Sequence, residues 1–309
     1  MSMANMCLLA KTQTAIGNAA VPTPGDDAML VSNITLSIIK GKSVERNLIQ
    51  GARGNYGSLF VGAYRSIEFE VEAANSGTPG VAPKAGRLLM GCDMQETVTA
   101  GVSVEYMPTQ GATLPLTLYG YLDGTLFKMT DAKGTWSYSG DAETIPKFKF
   151  QFIGRYHKLE AANFPAGLDF SDFIDPLTVG FDNTPVFNVH GTPGVMQQFS
   201  LDMAYDLVWR DMVNFQGVRQ PDRKPKATVV MELDGPNVKD WGEAVRTSEE
   251  GAITLTHGIH AGNILTFSLP RTVPVGEPTL SEQDKVAMLN ATFDVKPVNG
   301  NDEVVLTFT

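Results

Sequence analysis

The sequence holds two cysteines, Cys7 and Cys92, in 309 residues, which excludes a disulfide framework and a multi-cysteine zinc site. No apolar run approaches the roughly 20 residues that a membrane-spanning helix needs. The first residues offer only a short apolar patch, Met6 to Ala10, cut by Lys11 and without a basic start, unlike a secretory signal. Basic residues are in deficit: 24 Lys and Arg face 34 Asp and Glu, for a net charge of −10 and a pI near 4.9. A chain this acidic is poorly suited to gripping nucleic acid by its phosphates or docking on an anionic membrane. The expectation is a soluble protein made in a reducing cytoplasm, with no membrane insertion by this chain.

What the sequence has in quantity is punctuation. Thirty glycines and 18 prolines divide it into short alternating apolar segments, the pattern of a mainly β protein with many turns. Residues 1–27 read as an N-terminal arm. Strands are expected at Met29 to Ile39, Tyr64 to Ala73, Val102 to Met107, Leu116 to Leu122, Leu126 to Thr130, Trp136 to Ser139 and Lys147 to Tyr156. Asp123-Gly124 is a hairpin turn. A short helix starts near Pro83 and ends at Gly91. Residues 161–197 are Pro-rich and irregular and read as a linker.

After that linker the order recurs. Strands are expected at Gln198 to Trp209, Lys226 to Leu233, Ile253 to His257, Asn263 to Leu269, Val286 to Val295 and Glu303 to Phe308. A helix over about 237–250 places Val238, Trp241 and Val245 on one face. Residues 28–160 and 198–309 each run strand, long polar loop, strand, short helix, then a set of strands. The reading is of two tandem β-domains, each with one short helix, related by pattern rather than by residue identity. The first 160 residues are electrically balanced, so the whole −10 falls on the remainder.

No catalytic constellation emerges. The histidines are His157, His190, His257 and His260. His257 and His260 are three apart, which in a strand puts their rings on opposite faces, so they read as exposed turn residues rather than metal ligands. Cys92 beside Asp93 and Glu96 is a core or helix-end thiol, not a nucleophile. The stretch Gly51 to Gly57 matches no phosphate-binding loop. Glu68, Glu70 and Glu72 share one strand face, and Asp202 and Asp206 recur on another strand, as an ordinary wet face would. No cofactor is implied.

The run Arg65 to Pro83, then Gly86 to Cys92, Gln95 to Val98 and Val104 to Pro108, resembles the tail tube (major tail) proteins of long-tailed bacteriophages. Asp93 and Met94 stand where that resemblance leads one to expect a small or apolar pair. The resemblance covers about residues 28–158, and the C-terminal half agrees only in pattern. It implies two tail-tube-like β-barrel or sandwich folds and a non-enzymatic structural subunit of the virion tail, assembled in the host bacterial cytoplasm. It implies rings of three chains with pseudo-sixfold symmetry, stacked into a tube that conducts genomic DNA without binding it specifically. Implied partners are further copies of the chain, a tape-measure protein, and tail terminator and initiator proteins. Under it, Glu68, Glu70, Glu72, Asp202 and Asp206 face the lumen, and edge strands are completed by neighbouring subunits. The loops at 40–63 and 210–224 reach the next ring through Arg46, Arg53, Tyr56, Arg219 and Arg223. The alternative reading is a glycan-binding or decoration β-sandwich of a virion; a carboxylate-dependent glycosidase would need two opposed acids across a cleft.

Overall fold

A computed structural model describes residues 6–46, 48, 51, 54–111, 113–235 and 237–309. Among them the chain is mainly β, with three short helices. The N-terminal part contains β1 (Met6–Thr12), a single helical turn α1 (Pro24–Asp27), β2 (Ala28–Met29), β3 (Ser32–Leu36), β4 (Lys40–Glu45) and the long β5 (Ser58–Glu72). Then come α2 (Gly86–Gly91), the hairpin β6 (Met94–Thr99) and β7 (Ser103–Pro108), β8 (Leu116–Leu122), β9 (Thr125–Asp141), β10 (Lys147–Tyr156) and β11 (Glu160–Ala161). The remainder begins with β12 (Val186–Val189), β13 (Thr192–Pro193), β14 (Met196–Asp202), the hairpin β15 (Val208–Met212) and β16 (Phe215–Arg219), and β17 (Lys226–Glu232). It ends with α3 (Trp241–Thr247), β18 (Gly251–His257), β19 (Leu265–Gln283), β20 (Val286–Val295) and β21 (Val305–Phe308).

Alternation explains why these segments pair. On β5, β10 and β9 the odd and even residues divide cleanly: Ile67, Phe69, Val71, Phe148, Phe150, Phe152, Trp136 and Tyr138 are buried on one side. The Asp123-Gly124 turn joins β8 to β9 with both residues at positive φ (39° and 84°), as a two-residue hairpin requires. The helix α3 is capped by Asp240, whose carboxylate accepts the backbone N–H of Glu243 at 3.0 Å.

The pairings contain one strand order twice. The first set runs β1–β8–β9–β10–β5–β3, and the second runs β12–β18–β19–β20–β17–β14, with every neighbour antiparallel. Chain order is also the same in both, and the helices α2 and α3 each follow the equivalent strand, β5 or β17. The sets join where the C-terminal part of β9 pairs with β14, Tyr138 opposite Leu201 and Ser139 opposite Ser200. A second joint links β21 to β7. One sheet therefore runs continuously as β3–β5–β10–β9–β14–β17–β20–β19. Its inner side packs on a single apolar core drawn from both sets.

Several expectations about boundaries are corrected. Residues 6–12 are not an arm: β1 buries Leu8, Leu9 and Ala10 between β8 and β2. The stretch 161–197 is not a plain linker either. Its first part lays Leu168 and Phe170 over Cys7, Leu9, Tyr119 and Leu126, and β12 within it buries Val189 as the outer strand of the second set. The helix expected over 237–250 is shorter; Trp241 and Ala244 are buried whereas Val238 is exposed. The strands expected at 126–130 and 136–139 are one bent strand, β9, and the one expected at 263–269 continues to Gln283.

The joint is aromatic. Tyr138 on β9 lies 4.3 Å from Phe267, 5.4 Å from Phe148 and 6.1 Å from Phe199, ring centre to ring centre, so residues of both sets meet at one side chain. Because the core is shared, the chain is expected to unfold as one unit. Phe267→Ala should cost about 3–5 kcal/mol and leave a single transition, coincident by fluorescence and circular dichroism in a denaturant titration. Two separated transitions would contradict the shared core.

Candidate functional site: a polar sheet face, two ribbons and two open edges

The outer side of the continuous sheet follows from the same alternation that built the core. Opposite the buried residues stand Glu68, Glu70 and Glu72 on β5, Lys147, Lys149 and Gln151 on β10, and Ser137 and Ser139 on β9. The face continues through Ser200 and Asp202 on β14, Lys226 and Thr228 on β17, and Asn290, Thr292 and Asp294 on β20. The sequence-derived acids Glu68, Glu70, Glu72 and Asp202 thus share one face of one sheet. Asp206 lies just beyond β14, exposed, its N–H donating to the carbonyl of Asp222 at 2.9 Å.

That face is not uniformly acidic. The strand register sets Glu72 opposite Lys147, Glu70 opposite Lys149, and Lys226 between Asp202 and Asp294. Glu70 accepts from Lys147 Nζ at 3.1 Å and from Asn33 Nδ2 at 2.8 Å. Partial burial works to raise its pKa. The hydrogen bonds and the Lys147 and Lys149 charges outweigh that burial and hold its carboxyl below the usual range. Gln151 donates to Glu68 at 3.3 Å. Elsewhere the face presents hydroxyls and amides, such as Thr228 and Thr292 with their oxygens 3.4 Å apart.

The two glycine-rich or polar loops expected at 40–63 and 210–224 are in fact β-ribbons. β4 pairs with residues 58–64 of β5, and β15 pairs with β16. Both ribbons extend from the same end of the sheet and touch at their bases, where Tyr64 stacks on Trp209 with ring centres 5.7 Å apart. They expose apolar side chains to a degree that short hairpins rarely do: Val44, Leu59, Phe60 and Val61 on the first, Met212 and Val213 on the second. Arg46 is exposed, and its N–H donates to the Gly57 carbonyl at 3.1 Å. Tyr56 is half-buried in the same ribbon, and Arg53 lies outside the described residues. Arg219 is exposed and stacks on Phe215 at 4.3 Å.

Arg223 is different: although expected at a contact between rings, it is held by partners within the chain. Its guanidinium pairs with buried Glu303 through Nε, donates to the Thr109 carbonyl at 2.9 Å and to Asn301 Oδ1 at 2.7 Å. All three directions are spent inside the chain, binding the approach to β17 to the β7–β8 connection and the β20–β21 loop. Arg65, which carries no signal in the sequence beyond its place in the alternation, has the matching job in the first set. It is 1% exposed and donates to the carbonyls of Ile38, Lys128 and His157 at 3.1, 2.8 and 3.0 Å. Its plane lies between the rings of Phe127 and Tyr156.

His257 and His190 are structural. His257 is buried, not exposed as its turn-like sequence suggested; its imidazole contacts Thr184 Oγ1 at 3.0 Å and the Leu177 carbonyl at 3.1 Å. His260 is exposed. His190 packs against Trp241 and Phe293 and meets Thr272 Oγ1 at 2.9 Å. Burial, with a lesser contribution from Lys239, pushes its pKa down to about 4. Cys92 is fully buried beside α2, where burial and then Asp93 push its thiol well up. Among the described residues no three His, Cys, Asp or Glu side chains are grouped to hold a metal ion.

Two outcomes follow. Arg223→Met strands Glu303 as an unpaired buried carboxylate and should cost about 3–5 kcal/mol in chemical denaturation, with Arg223→Met/Glu303→Leu recovering much of it. Equal losses in the single and double variants would contradict the brace. For His190, the unfolded chain binds a proton near pH 6.5 and the folded chain only near 4. The unfolded state holds more protons in that window, so stability is full above about 6.5 and declines as pH falls toward 4. His190→Gln should flatten the dependence of Tm on pH in that window; an unchanged slope would contradict it.

Comparison with protein-family models and with curated proteins finds no match to this chain.

Proposed function

We propose that this chain is the structural subunit of a bacteriophage tail tube. Three copies form a ring of six quasi-equivalent repeats, rings stack into a tube of the virion tail, and the lumen conducts genomic DNA during ejection. A tape-measure protein would occupy the growing lumen, and terminator and initiator proteins the tube's ends. The observation that carries the reading is the strand order found twice in one sheet. A subunit that already joins two copies of a unit edge to edge is two-sixths of a closed ring, and closure removes the edges that an open sheet exposes.

Two further features support it. The outer sheet face is broad, wet and lined by hydroxyls, amides and an excess of carboxylates, which suits a wall past which phosphates slide without sticking. The apolar ribbons leave one end of the sheet together, one per repeat, and supply contacts for the neighbouring ring. The cation set for those contacts reduces to Arg46, Arg53 and Arg219, since Arg223 is committed within the chain.

Negative-stain microscopy of concentrated protein across a salt series tests the proposal. Hollow rings or tubes of three chains per ring, with pseudo-sixfold end views, are the expected result. Compact monomers at every concentration and salt would overturn it, and six chains per ring would keep the tube while removing the argument from repetition. Glu68→Lys/Glu70→Lys/Glu72→Lys should still form tubes but retain DNA at low salt, released as salt rises; tubes that stay free of DNA would contradict the lumen assignment.

A further inference from the structure

The joint inside the chain is a template for a contact that the chain leaves unmade. Past Gly134, β9 pairs with β10 on one side and with β14 on the other. Its counterpart, β19 beyond Thr272, pairs with β20 on one side, and its other edge has no strand partner among the described residues. At the opposite end of the sheet β3 pairs with β5 alone.

The pairings fix how the two sets correspond. Buried Ile67, Phe69 and Val71 of β5 match buried Ala227, Val229 and Met231 of β17, and each strand ends one residue later, at Glu72 and Glu232. Leu36 sits opposite Ile67 as Leu201 sits opposite Ala227, so Leu36 corresponds to Leu201. Phe148 lies between Val71 and Tyr138 as Leu289 lies between Met231 and Leu280, so Leu280 corresponds to Tyr138. Both edge strands also carry a one-residue register shift near their starts, β3 between Ser32 and Thr35 and β14 between Met196 and Gln198. The equivalent residues differ in one respect. Tyr138 is 1% exposed beneath β14, whereas Leu280 is 66% exposed, with no strand on the side away from β20 among the described residues.

We infer that β3 of one copy adds antiparallel to β19 of a second copy, with Leu36 opposite Leu280 and Thr35 opposite Ser281. This repeats the internal pairs Leu201–Tyr138 and Ser200–Ser139. The occupant is a second copy because each chain holds one strand of each kind, and the chain itself demonstrates that the two kinds pair. Pro274 and Pro278, which lack the N–H a ladder needs, fall before the stretch used. A slip of one residue would turn the faces over, and a slip of two would keep them, so the register is the claim. The inference deepens the ring proposal and rests on it for closure; the pairing itself needs only that copies associate.

Cysteine pairs placed across the contact test it. Adjacent antiparallel pairs alternate between close and wide spacing, so Leu36→Cys/Leu280→Cys and Thr35→Cys/Ser281→Cys are made together with a control shifted by two, Leu36→Cys/Glu282→Cys. The native Cys7 and Cys92 are buried and do not compete. Under mild oxidation, at least one matched variant should give a ladder of covalent dimers and trimers on a non-reducing gel, at least tenfold stronger than the shifted control. An equal or stronger ladder from the shifted control would overturn the register, as would hollow rings by microscopy with no ladder from either matched variant. A ladder from matched pairs without hollow rings would uphold the pairing and defeat the tube. No association at any concentration would overturn both.

Discussion

Everything in this molecule depends on the seam between β9 and β14. Ten antiparallel neighbours could have formed two small sandwiches on a tether; instead one strand is long enough to serve both. β9 spends its first half on β8, is shared from Met129 to Ser139 with β10, and lends its last residues to β14. The cost of exposing two more edges is avoided, and the apolar side chains beneath the seam merge into one core. Tyr138 is the side chain on which this converges, because it touches aromatic residues from β10, β14 and β19.

The seam also determines where function can reside. A sheet with one face sealed against a common core must leave its other face wet. Here that face carries the acids and lysines in register, so charge is locally compensated rather than concentrated. Buried Arg65 and half-buried Arg223 hold the geometry at the end from which the ribbons leave. Arg65 gathers backbone carbonyls from three chain segments and Arg223 gathers a carbonyl and a buried carboxylate from two, which orders the roots of two ribbons that otherwise have no core of their own. With stiff roots and exposed apolar tips, the ribbons are suited to meeting another molecule rather than to folding back.

Much of this was legible in the sequence wherever alternation was clean. The strands at 116–122, 147–156 and 286–295 have the expected limits, and the Glu68, Glu70 and Glu72 face is opposite the core as their spacing requires. What escaped had physical causes. The segment Asp131 to Gly134 looks like a turn, yet Asp131 takes a φ of 50° inside a continuous strand and accepts the Gly17 N–H at 2.7 Å, so the strand bends rather than ends. The strand expected to end at Leu269 runs on through Pro274 and Pro278. Prolines are admitted on edge strands, and β19 is one beyond Thr272. β1 and β12 were missed because each is short and its burial comes from partners more than a hundred or some sixty positions away, which no local window contains. Arg223 read as a loop cation because its buried partner, Glu303, is 80 positions distant.

The central claim is that the sheet is built to continue from one copy into the next along the edges of β3 and β19. Amide hydrogen exchange, followed residue by residue on dilute and concentrated protein, tests it most directly. The account predicts that β14 and the end of β9 are protected in both samples, while residues 32–36 and 279–283 gain protection only on concentration. Edges that exchange equally fast in the associated state would contradict it.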